Sequence, residues 1–376
     1  MKKKIIYVLP DLSVIGAQRL AIDYGVRLQA NGYNVNWYVG SMSGGFLEEL
    51  DKIYVLSFSH KIFSKIKIIR FIEKIIRLLF LLRSHEIDII ISITPFYNRI
   101  ICAFKMLRLI SPKVVIEDHA YPPRSYLDEF GPISRFFYVH TEFLYKKSER
   151  FRVLSEESKF YYDKSLGENL SIVQNNYLNI NRISDLSTHY PATLPEKLKP
   201  RIIYIGRFTT QKNIQFLIYS FALLLDLIDS ELCIIGYGPE EVKLKRIVSD
   251  LKIESNVLFV RSSKNNFANL KTADLFPIVS IWEGMPLVVF EAMALKVPVI
   301  ATNFMAGPKF IIGVKNERGV ILDEDDKNLF AKSMYSMLKN IDGLNTVRIN
   351  NAYSFVHDKV EIEKNFKNYI DKFIEY

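Results

Sequence analysis

The chain has 376 residues, of which 49% are hydrophobic; this is enough apolar material for the cores of two domains and excludes a disordered chain. Its formal net charge of +9 favours anionic partners such as nucleic acid, acidic lipid or a phosphorylated substrate. The two cysteines, Cys102 and Cys233, lie far apart in apolar segments, which excludes a disulfide framework and is typical of a reducing compartment.

The first half alternates predicted strands with a helix. The helix covers Ala17–Ala30, and the strands are Lys4–Leu9, Asn34–Val39, Ile53–Ser57, Ile87–Ile93 and Lys113–Glu117. A strand-loop-helix-strand order indicates a parallel sheet. The near-continuous Ile and Val content is typical of strands that helices cover on both faces.

The composition changes at residues 186–200, where prolines at 191, 195 and 200 indicate a linker. The alternation then restarts, with a helix at Asn213–Leu227 and strands at Arg201–Ile205, Glu231–Ile235, Val257–Val260, Leu275–Val279, Val299–Ala301 and Gly319–Leu322. We therefore predict an α/β fold of two doubly wound, Rossmann-like domains facing a central cleft, since ligands bind beyond the carboxyl ends of such strands. The domains are residues 1–185 and 201–355. The sequence leaves open which domain the final helix, within residues 356–376, packs on; one possibility is that it returns to the first domain.

The most informative stretch lies just after the predicted strand that ends at Val279. Gly284, Met285, Pro286 and Leu287 lead into a predicted helix, whose N-terminal N–H groups and positive dipole end suit a diphosphate or sugar hydroxyls. Glu283 precedes this loop, and Glu291 lies about one turn into the helix. The two acids either share one cavity or are surface residues that happen to fall eight apart.

Two further loops could contribute to an anion-binding site. Arg207 follows Gly206 at the end of a strand, and Lys212 lies five residues later, so that the pair could neutralise a diphosphate. Gly236 and Gly238 end the next strand, where a bare backbone can approach a ligand. The alternatives are two solvated charges and an ordinary turn.

These residues resemble the second domain of the retaining glycosyltransferases of family 4 (glycosyl transferases group 1), which have the GT-B architecture. The resemblance covers residues 201–325. The matching segments are the Gly-Arg…Lys loop of Gly206, Arg207 and Lys212, the Gly-x-Gly-Pro turn of Gly236 to Pro239, the Glu-x7-Glu pair of Glu283 and Glu291, and the Pro298–Thr302 strand.

The resemblance implies a role for each matching residue. Arg207 and Lys212 would hold the donor diphosphate, Glu291 would bind the ribose, and Glu283 would contact the donor sugar as a catalytic residue. The amides of Gly284 to Leu287 would contact sugar or phosphate. The family needs no metal or cofactor beyond its nucleotide-sugar co-substrate, and it retains the anomeric configuration.

The first half resembles the family more loosely, and it would bind the acceptor. Its loop at Gly16 and Arg19 resembles the family's Gly-Gly-Ala-Glu-Arg loop, and His119 resembles a catalytic histidine near the donor sugar. Alternatively, Gly16 permits a tight turn and His119 is structural. Two residues depart from the pattern. Arg261 replaces a glycine near the nucleotide base, which leaves the base specificity open. Phe310 replaces a glutamate, which indicates either a changed donor pocket or different packing.

The segment Lys61–Arg83 carries seven basic residues and one acid among apolar residues. It is either an interfacial helix on an anionic membrane or an amphipathic helix that covers its own sheet. It lacks the pattern that would require nucleic acid. With no secretory signal and no apolar run of roughly 20 residues, we predict a cytoplasmic protein, with peripheral contact to the inner face of the plasma membrane under the first interpretation.

The sequence thus predicts a retaining, metal-independent enzyme. It would move a hexose or N-acetylhexosamine from a nucleotide-diphosphate sugar, UDP being favoured by its frequency in the family, to a lipid-linked or oligosaccharide acceptor in surface polysaccharide synthesis. Two alternatives stay open: a catalytically silent GT-B subunit that binds a sugar nucleotide or a partner chain, and a sugar-nucleotide epimerase.

Overall fold

The structure is a computed structural model that describes residues 2–10, 16–40, 54–57, 67–84, 86–119, 141–167, 169–262, 266–304, 307–323 and 326–376. The chain divides into two compact units. Unit 1 comprises Met1–Asn176 and Lys367–Tyr376, and unit 2 comprises Tyr177–Phe366. Each unit is built on parallel β-structure.

Unit 1 contains the strands β1 (Lys4–Leu9), β2 (Asn34–Val39), β3 (Tyr54–Ser57), β4 (Ile89–Ser92), β5 (Lys113–Asp118), β6 (Arg150–Val153) and β7 (Ser171–Val173). Its helices are α1 (Gly16–Ala30), α2 (Lys67–Ser84), α3 (Pro95–Met106) and α4 (Glu156–Leu166), with a short 3₁₀ helix at Glu142–Lys147. The strands pair in parallel in the order β3-β2-β1-β4-β5-β6-β7. The order therefore reverses between β1 and β4, as in a doubly wound sheet.

Alternate residues of β1 pack on opposite faces of this sheet, as the two-residue repeat of a strand requires. Ile6 and Val8 join an apolar core that includes residues of α2, α3 and α4. Tyr7 lies on the other face, where its ring stacks on that of Trp37 with 6.1 Å between centroids. Gly25 of α1 lets the helix approach this face, because a Cβ there would lie 2.2 Å from the Trp37 ring.

Unit 2 contains the strands β8 (Arg201–Ile205), β9 (Glu231–Ile235), β10 (Val257–Val260), β11 (Phe276–Ile278), β12 (Val299–Thr302) and β13 (Val320–Leu322). Its helices are α5 (Ile180–His189), α6 (Ile214–Leu225), α7 (Glu241–Asp250), α8 (Phe267–Leu270), α9 (Leu287–Ala294), α10 (Pro308–Ile312), α11 (Lys327–Lys339) and α12 (Asn345–Lys359), and α13 (Ile362–Phe373) begins in it. Short 3₁₀ helices cover Thr210–Lys212 and Glu254–Asn256.

The strands of unit 2 form two three-stranded parallel sheets, β10-β9-β8 and β11-β12-β13. A parallel bridge between Ile202 and Leu275 joins β8 to the start of β11, and Ile203 N–H donates to the Leu275 carbonyl at 3.1 Å. The combined order is the doubly wound one, and it reverses between β8 and β11. Phe216 of α6 meets Phe330 of α11 edge to face at 5.4 Å within the core of this unit.

The predicted linker at residues 186–200 overlaps a helix, which corrects its first boundary. Helix α5 continues to His189; its Asn179 cap accepts a hydrogen bond from Arg182 N–H at 2.9 Å, and Ile180 and Ile183 are buried. The prolines that indicated a linker begin only at Pro191, so only residues 190–200 lack helix and strand. The division between the units falls before α5, at Asn176.

The C-terminal segment belongs to unit 1. The sequence left open which domain the final helix joins, and residues 367–376 group with the first unit. Lys3 Nζ lies 2.9 Å from the Glu375 carboxylate, and the Arg150 guanidinium lies 4.2 Å from the centre of the Tyr376 ring. Unit 1 is therefore built from two segments of the chain, one before unit 2 and one after it.

Candidate functional site

Two loops of unit 2 leave the carboxyl ends of β8 and β11, where the strand order reverses. Crevices at such points are the usual ligand sites of doubly wound sheets. The first loop carries Gly206, Arg207 and Lys212, and the second carries Glu283 and leads into α9. The predicted diphosphate and sugar residues thus leave neighbouring strands at one edge of the sheet.

Lys212 and Glu283 form an ion pair between these loops, in which the Lys212 ammonium donates to Glu283 Oε1. The Ser280 hydroxyl lies 2.5 Å from the same oxygen. The Glu283 side chain is only 8% exposed and that of Lys212 18%. The pair is therefore held largely out of water, where charge interactions are stronger than at the surface.

Backbone contacts fix the spacing of the two loops. Ile281 N–H donates to the Gln211 carbonyl at 2.8 Å, and the Gln211 side-chain amide donates to the Trp282 carbonyl at 3.0 Å. Asn213 takes a left-handed conformation (φ 49°) between the Thr210–Lys212 turn and α6, which an Asn tolerates. These two hydrogen bonds and the turn at Asn213 thus set the positions of Lys212 and Glu283.

Arg207 is exposed beside this ion pair and has no ion-pair partner in the described part of the chain. Burial raises the pKa of Tyr204 well above its usual value; the charge of Glu283 adds to this effect, whereas Arg207 opposes it. Both charges therefore act on the end of β8. The Arg207 guanidinium is therefore a cation that can bind a ligand at this edge of the sheet.

Helix α9 begins at Leu287, directly after Gly284, Met285 and Pro286. Pro286 occupies the cap position without a side-chain cap, so the first N–H groups of the helix lack the partners that a capping side chain supplies. Glu291 lies one turn further along and is half-buried. The structure thus has a helix N-terminus at the place where the sequence predicts one that could bind sugar or phosphate.

Gly236 and Gly238 are required by contacts between two loops. A Cβ at Gly236 would lie 1.9 Å from the Gly206 carbonyl oxygen, and one at Gly238 would lie 2.4 Å from that of Phe208. The turn borders a cavity of about 320 Å³ lined by Phe208, Gly236, Tyr237, Gly238, Glu241, Lys245, Phe259, Val260 and Arg261. The Arg261 guanidinium lies 5.7 Å from the Tyr237 ring centre, so both line one wall.

His119 follows β5 in unit 1 and contacts a buried ionic network. Its Nε2 lies 2.9 Å from Glu117 Oε2, which also accepts from Arg152 at 2.7 Å, while Tyr369 donates to Glu117 Oε1 at 2.8 Å. Burial by itself raises the pKa of Glu117, but Arg152, His119 and Tyr369 together lower it to about 2. Glu117 is therefore an ionised acceptor beside His119.

The other residues predicted for the acceptor side lie on α1. Gly16 is its first residue, and the preceding loop residues 11–15 lie outside the described chain. Arg19 Nε lies 4.0 Å from the Asp23 carboxylate one turn along the helix. Phe310 meets the Phe355 ring edge to face with 5.7 Å between the ring centroids.

Several residues of these sites were not predicted from the sequence. Ser280, Gln211, Glu117 and Arg152 were not predicted as site residues, although Ser280, Gln211 and Glu117 lie within three residues of one. Within the described ranges, no three His, Cys, Asp or Glu side chains are grouped as metal ligands. No helix in the same ranges combines the length and hydropathy of a membrane span.

Residues 189–355 match the family model of glycosyl transferases group 1. This segment includes Arg207, Lys212, Glu283 and Glu291. The predicted family resemblance is confirmed for this segment.

Relatives of known sequence match about half of the chain. It is 32% identical over 203 residues to an uncharacterized glycosyltransferase of Methanocaldococcus jannaschii, covering 51% of this chain and 48% of that protein. It is 30% identical over 158 residues to N-acetyl-alpha-D-glucosaminyl L-malate synthase of Bacillus anthracis, covering 42% and 40%. It is 27% identical over 171 residues to N-acetylgalactosamine-N,N'-diacetylbacillosaminyl-diphospho-undecaprenol 4-alpha-N-acetylgalactosaminyltransferase of Campylobacter jejuni, covering 45% and 46%. These alignments span about half the length of each relative or less.

Solved structures match the whole chain. HepE of Anabaena in complex with UDP and glucose aligns over 100% of both chains with a TM-score of 0.81 and 16% identity. Sucrose-phosphate synthase of Thermosynechococcus elongatus aligns over 100% of both chains with a TM-score of 0.80 and 16% identity. At this identity the likeness concerns the fold alone, and the predicted α/β fold of the GT-B class is confirmed.

Proposed function

We propose, from the membership of residues 189–355 in the glycosyl transferases group 1 family, that the chain is a retaining, metal-independent glycosyltransferase that uses a nucleotide-diphosphate sugar. The observation that carries this proposal is the Lys212–Glu283 pair beside Arg207 at the reversal of the strand order in unit 2. A diphosphate needs cations at this edge, and a sugar needs a carboxylate next to them.

The donor occupies unit 2. Arg207 and Lys212 bind the diphosphate, the Gly284–Leu287 amides bind phosphate or sugar, and Glu291 binds the ribose. Gly236, Gly238 and Arg261 border the cavity that takes the nucleotide base. UDP is favoured, and the transferred group is a hexose or N-acetylhexosamine.

The reaction breaks the bond between the anomeric carbon and the diphosphate oxygen. The acceptor hydroxyl attacks from the face that the diphosphate leaves, and its proton passes to a diphosphate oxygen, so that the anomeric configuration is retained. Arg207, Lys212 and the start of α9 stabilise the charge that develops on the diphosphate. Glu283 stabilises the sugar as positive charge builds up on it.

Unit 1 takes the acceptor, with Gly16 and Arg19 on its binding side, and His119 acts as a catalytic residue. We infer a lipid-linked or oligosaccharide acceptor in surface polysaccharide synthesis. The relative from Campylobacter jejuni is named as a transferase that acts on a diphospho-undecaprenol-linked saccharide, which supports this class of acceptor.

The test is a thermal-shift screen with UDP-, GDP- and ADP-sugars, with and without EDTA. A ligand at 100 times its dissociation constant adds about 2.7 kcal/mol to the stability of the native state, and we expect this for a UDP-sugar in EDTA. We also expect free UDP to appear only when a lipid-diphosphate N-acetylglucosamine acceptor is added. Absence of any shift would rule out the donor site, and UDP release without acceptor or loss of activity in EDTA would refute transfer as proposed.

The basic segment Lys61–Arg83 is proposed to hold unit 1 on an anionic membrane surface. Its residues 61–66 lie outside the described chain, but α2 includes the rest. Ile76 and Phe80 are 48% and 69% exposed, and Arg83 is also exposed. These three residues recur at four and three positions, so they share one helical face.

Flotation with vesicles tests this surface. We expect binding to vesicles rich in phosphatidylglycerol but not to phosphatidylcholine vesicles. Arg83→Gln should weaken binding about fivefold, because a basic residue near an anionic surface contributes about 1 kcal/mol. Phe160→Ser on α4, where the residue is 71% exposed, is the matched control and should bind as before. Equal binding to both lipids would exclude the charged contact.

A further inference from the structure

Ser280 carries a buried hydroxyl on the loop between β11 and Glu283. It follows the fully buried Val279 and is itself only 3% exposed, so its side chain is enclosed within unit 2. Its hydroxyl lies 2.5 Å from Glu283 Oε1. An ionised carboxylate can only accept a hydrogen bond, so Ser280 is the donor. Ser280 therefore uses its single hydroxyl proton for Glu283.

The two carboxylate oxygens of Glu283 are used unequally. Lys212 donates to Oε1, the same oxygen that accepts from Ser280. Among the residues that the structure describes, none donates to Oε2. Both hydrogen bonds thus hold Glu283 by one oxygen, and the other oxygen is left to accept from a ligand.

The two donors differ in their freedom to leave Glu283. The Lys212 ammonium ends a long, flexible side chain that is partly exposed, and it is the cation that the proposed function gives to the diphosphate. The Ser280 side chain is short and enclosed, so it stays with Glu283 when Lys212 turns to a ligand. A carboxylate held out of water needs this remaining hydrogen bond, because an unpaired buried charge is costly.

We propose that Ser280 is a positioning residue whose hydroxyl keeps the Glu283 carboxylate in place while Lys212 moves to the diphosphate, so that Oε2 remains available to the donor sugar. This role of Ser280 rests on the proposed function. Ser280 needs no contact of its own with the sugar or the phosphates, because its hydroxyl acts through Glu283. The alternative role is a purely structural one, in which the hydroxyl stabilises the loop whether or not Glu283 is present.

Ser280→Ala removes the hydroxyl and little volume. We expect kcat for transfer from UDP-glucose or UDP-N-acetylglucosamine to a lipid-diphosphate N-acetylglucosamine acceptor to fall about 10- to 100-fold, the usual effect of losing a hydrogen bond to a charged group. The KM for the acceptor should not change. Calorimetry should show UDP binding about twofold to fivefold more weakly, because Lys212 is then the only donor to Glu283 and leaves it less readily.

Ser220→Ala is the matched control for the loss of a buried hydroxyl. Ser220 is also buried in unit 2, but its hydroxyl donates to the Phe216 carbonyl at 2.9 Å within α6. We expect kcat, the acceptor KM and the UDP affinity of this variant to equal those of the unaltered chain. A kcat of Ser280→Ala equal to that of Ser220→Ala would overturn the proposal.

The double variant of Ser280→Ala with Glu283→Ala separates positioning from a structural role. Glu283→Ala leaves no carboxylate for Ser280 to hold, so adding Ser280→Ala should lower the remaining transfer rate by less than about twofold, since effects that act through one group do not add. A hydroxyl that stabilises the loop by itself would cause the same further loss in both backgrounds. Losses that multiply in the double variant would therefore overturn the positioning role.

Failure of the proposed function would look different. In that case the unaltered chain binds neither UDP-sugar and releases no UDP when the acceptor is added, and the role of Ser280 is refuted together with the proposed function. If the unaltered chain transfers sugar and Ser280→Ala transfers it equally fast, only the role of Ser280 is refuted.

Discussion

We expect Glu283→Gln to bind UDP at least as tightly as the unaltered chain, while its transfer rate falls about 100- to 1,000-fold. The Lys212 ammonium is tied to Glu283 in the unliganded chain, and an amide in place of the carboxylate releases that cation for the diphosphate. The same change removes the negative charge that the proposed mechanism uses beside the reacting sugar. Ground-state nucleotide binding and transfer should therefore change in opposite directions.

Calorimetry with UDP and initial rates with a UDP-sugar and acceptor measure the two effects. Lys212→Met should bind UDP more weakly, because it removes the cation itself. Glu254→Gln, which changes an exposed acid of the same unit, is the matched control and should alter neither quantity. Full transfer by Glu283→Gln, or a loss of UDP affinity equal to that of Lys212→Met, would contradict the proposed competition for Lys212.

Arg152→Met is expected to lower the free energy of unfolding at pH 7 by about 3–5 kcal/mol, the usual effect of removing one partner of a buried ion pair. Arg152 is fully buried, and its guanidinium donates to Glu117 at 2.7 Å and to the Gln174 and Asn175 carbonyls at 3.1 and 2.9 Å. Methionine fills much of the volume but leaves the Glu117 carboxylate without its cation.

The stability that the Glu117–Arg152 pair contributes should decrease as the pH falls. The pKa of Glu117 falls from its usual 4.5 to about 2 in the folded chain, so its contribution is complete above pH 4.5 and is lost as the pH falls toward 2. The loss is about 3 kcal/mol, since one pKa unit corresponds to about 1.4 kcal/mol. In Arg152→Met, this loss of unfolding free energy at low pH should largely disappear.

Urea unfolding at pH 7, 4 and 3 measures both effects. Arg83→Met changes an exposed arginine on α2 and should stay within about 0.5 kcal/mol of the unaltered chain. The ion-pair account fails if Arg152→Met is as mild as this control, or if both chains lose the same stability between pH 7 and 3.

Local elements were predicted from local sequence. The strands Lys4–Leu9, Asn34–Val39, Arg201–Ile205, Glu231–Ile235 and Val257–Val260 occur over the predicted residues. Parallel strands buried on both faces require unbroken apolar runs. Such runs can be recognised in the sequence without knowing which strands pair with them. Helix α5 was not predicted. Only a few of its residues are buried, and the prolines that follow it led to the prediction of a linker.

The sequence by itself determined the strand-and-helix alternation and the two strand-end loops with Arg207, Lys212, Glu283 and Glu291, because each motif lies within one strand-loop-helix segment. Only the tertiary structure decided that Lys212 pairs with Glu283, and that Glu117 gathers Arg152, His119 and Tyr369. Lys212 and Glu283 are 71 positions apart, and Glu117 and Tyr369 are 252 apart. Contacts at such separations depend on strand order and on the return of the C-terminal segment, neither of which a local pattern encodes.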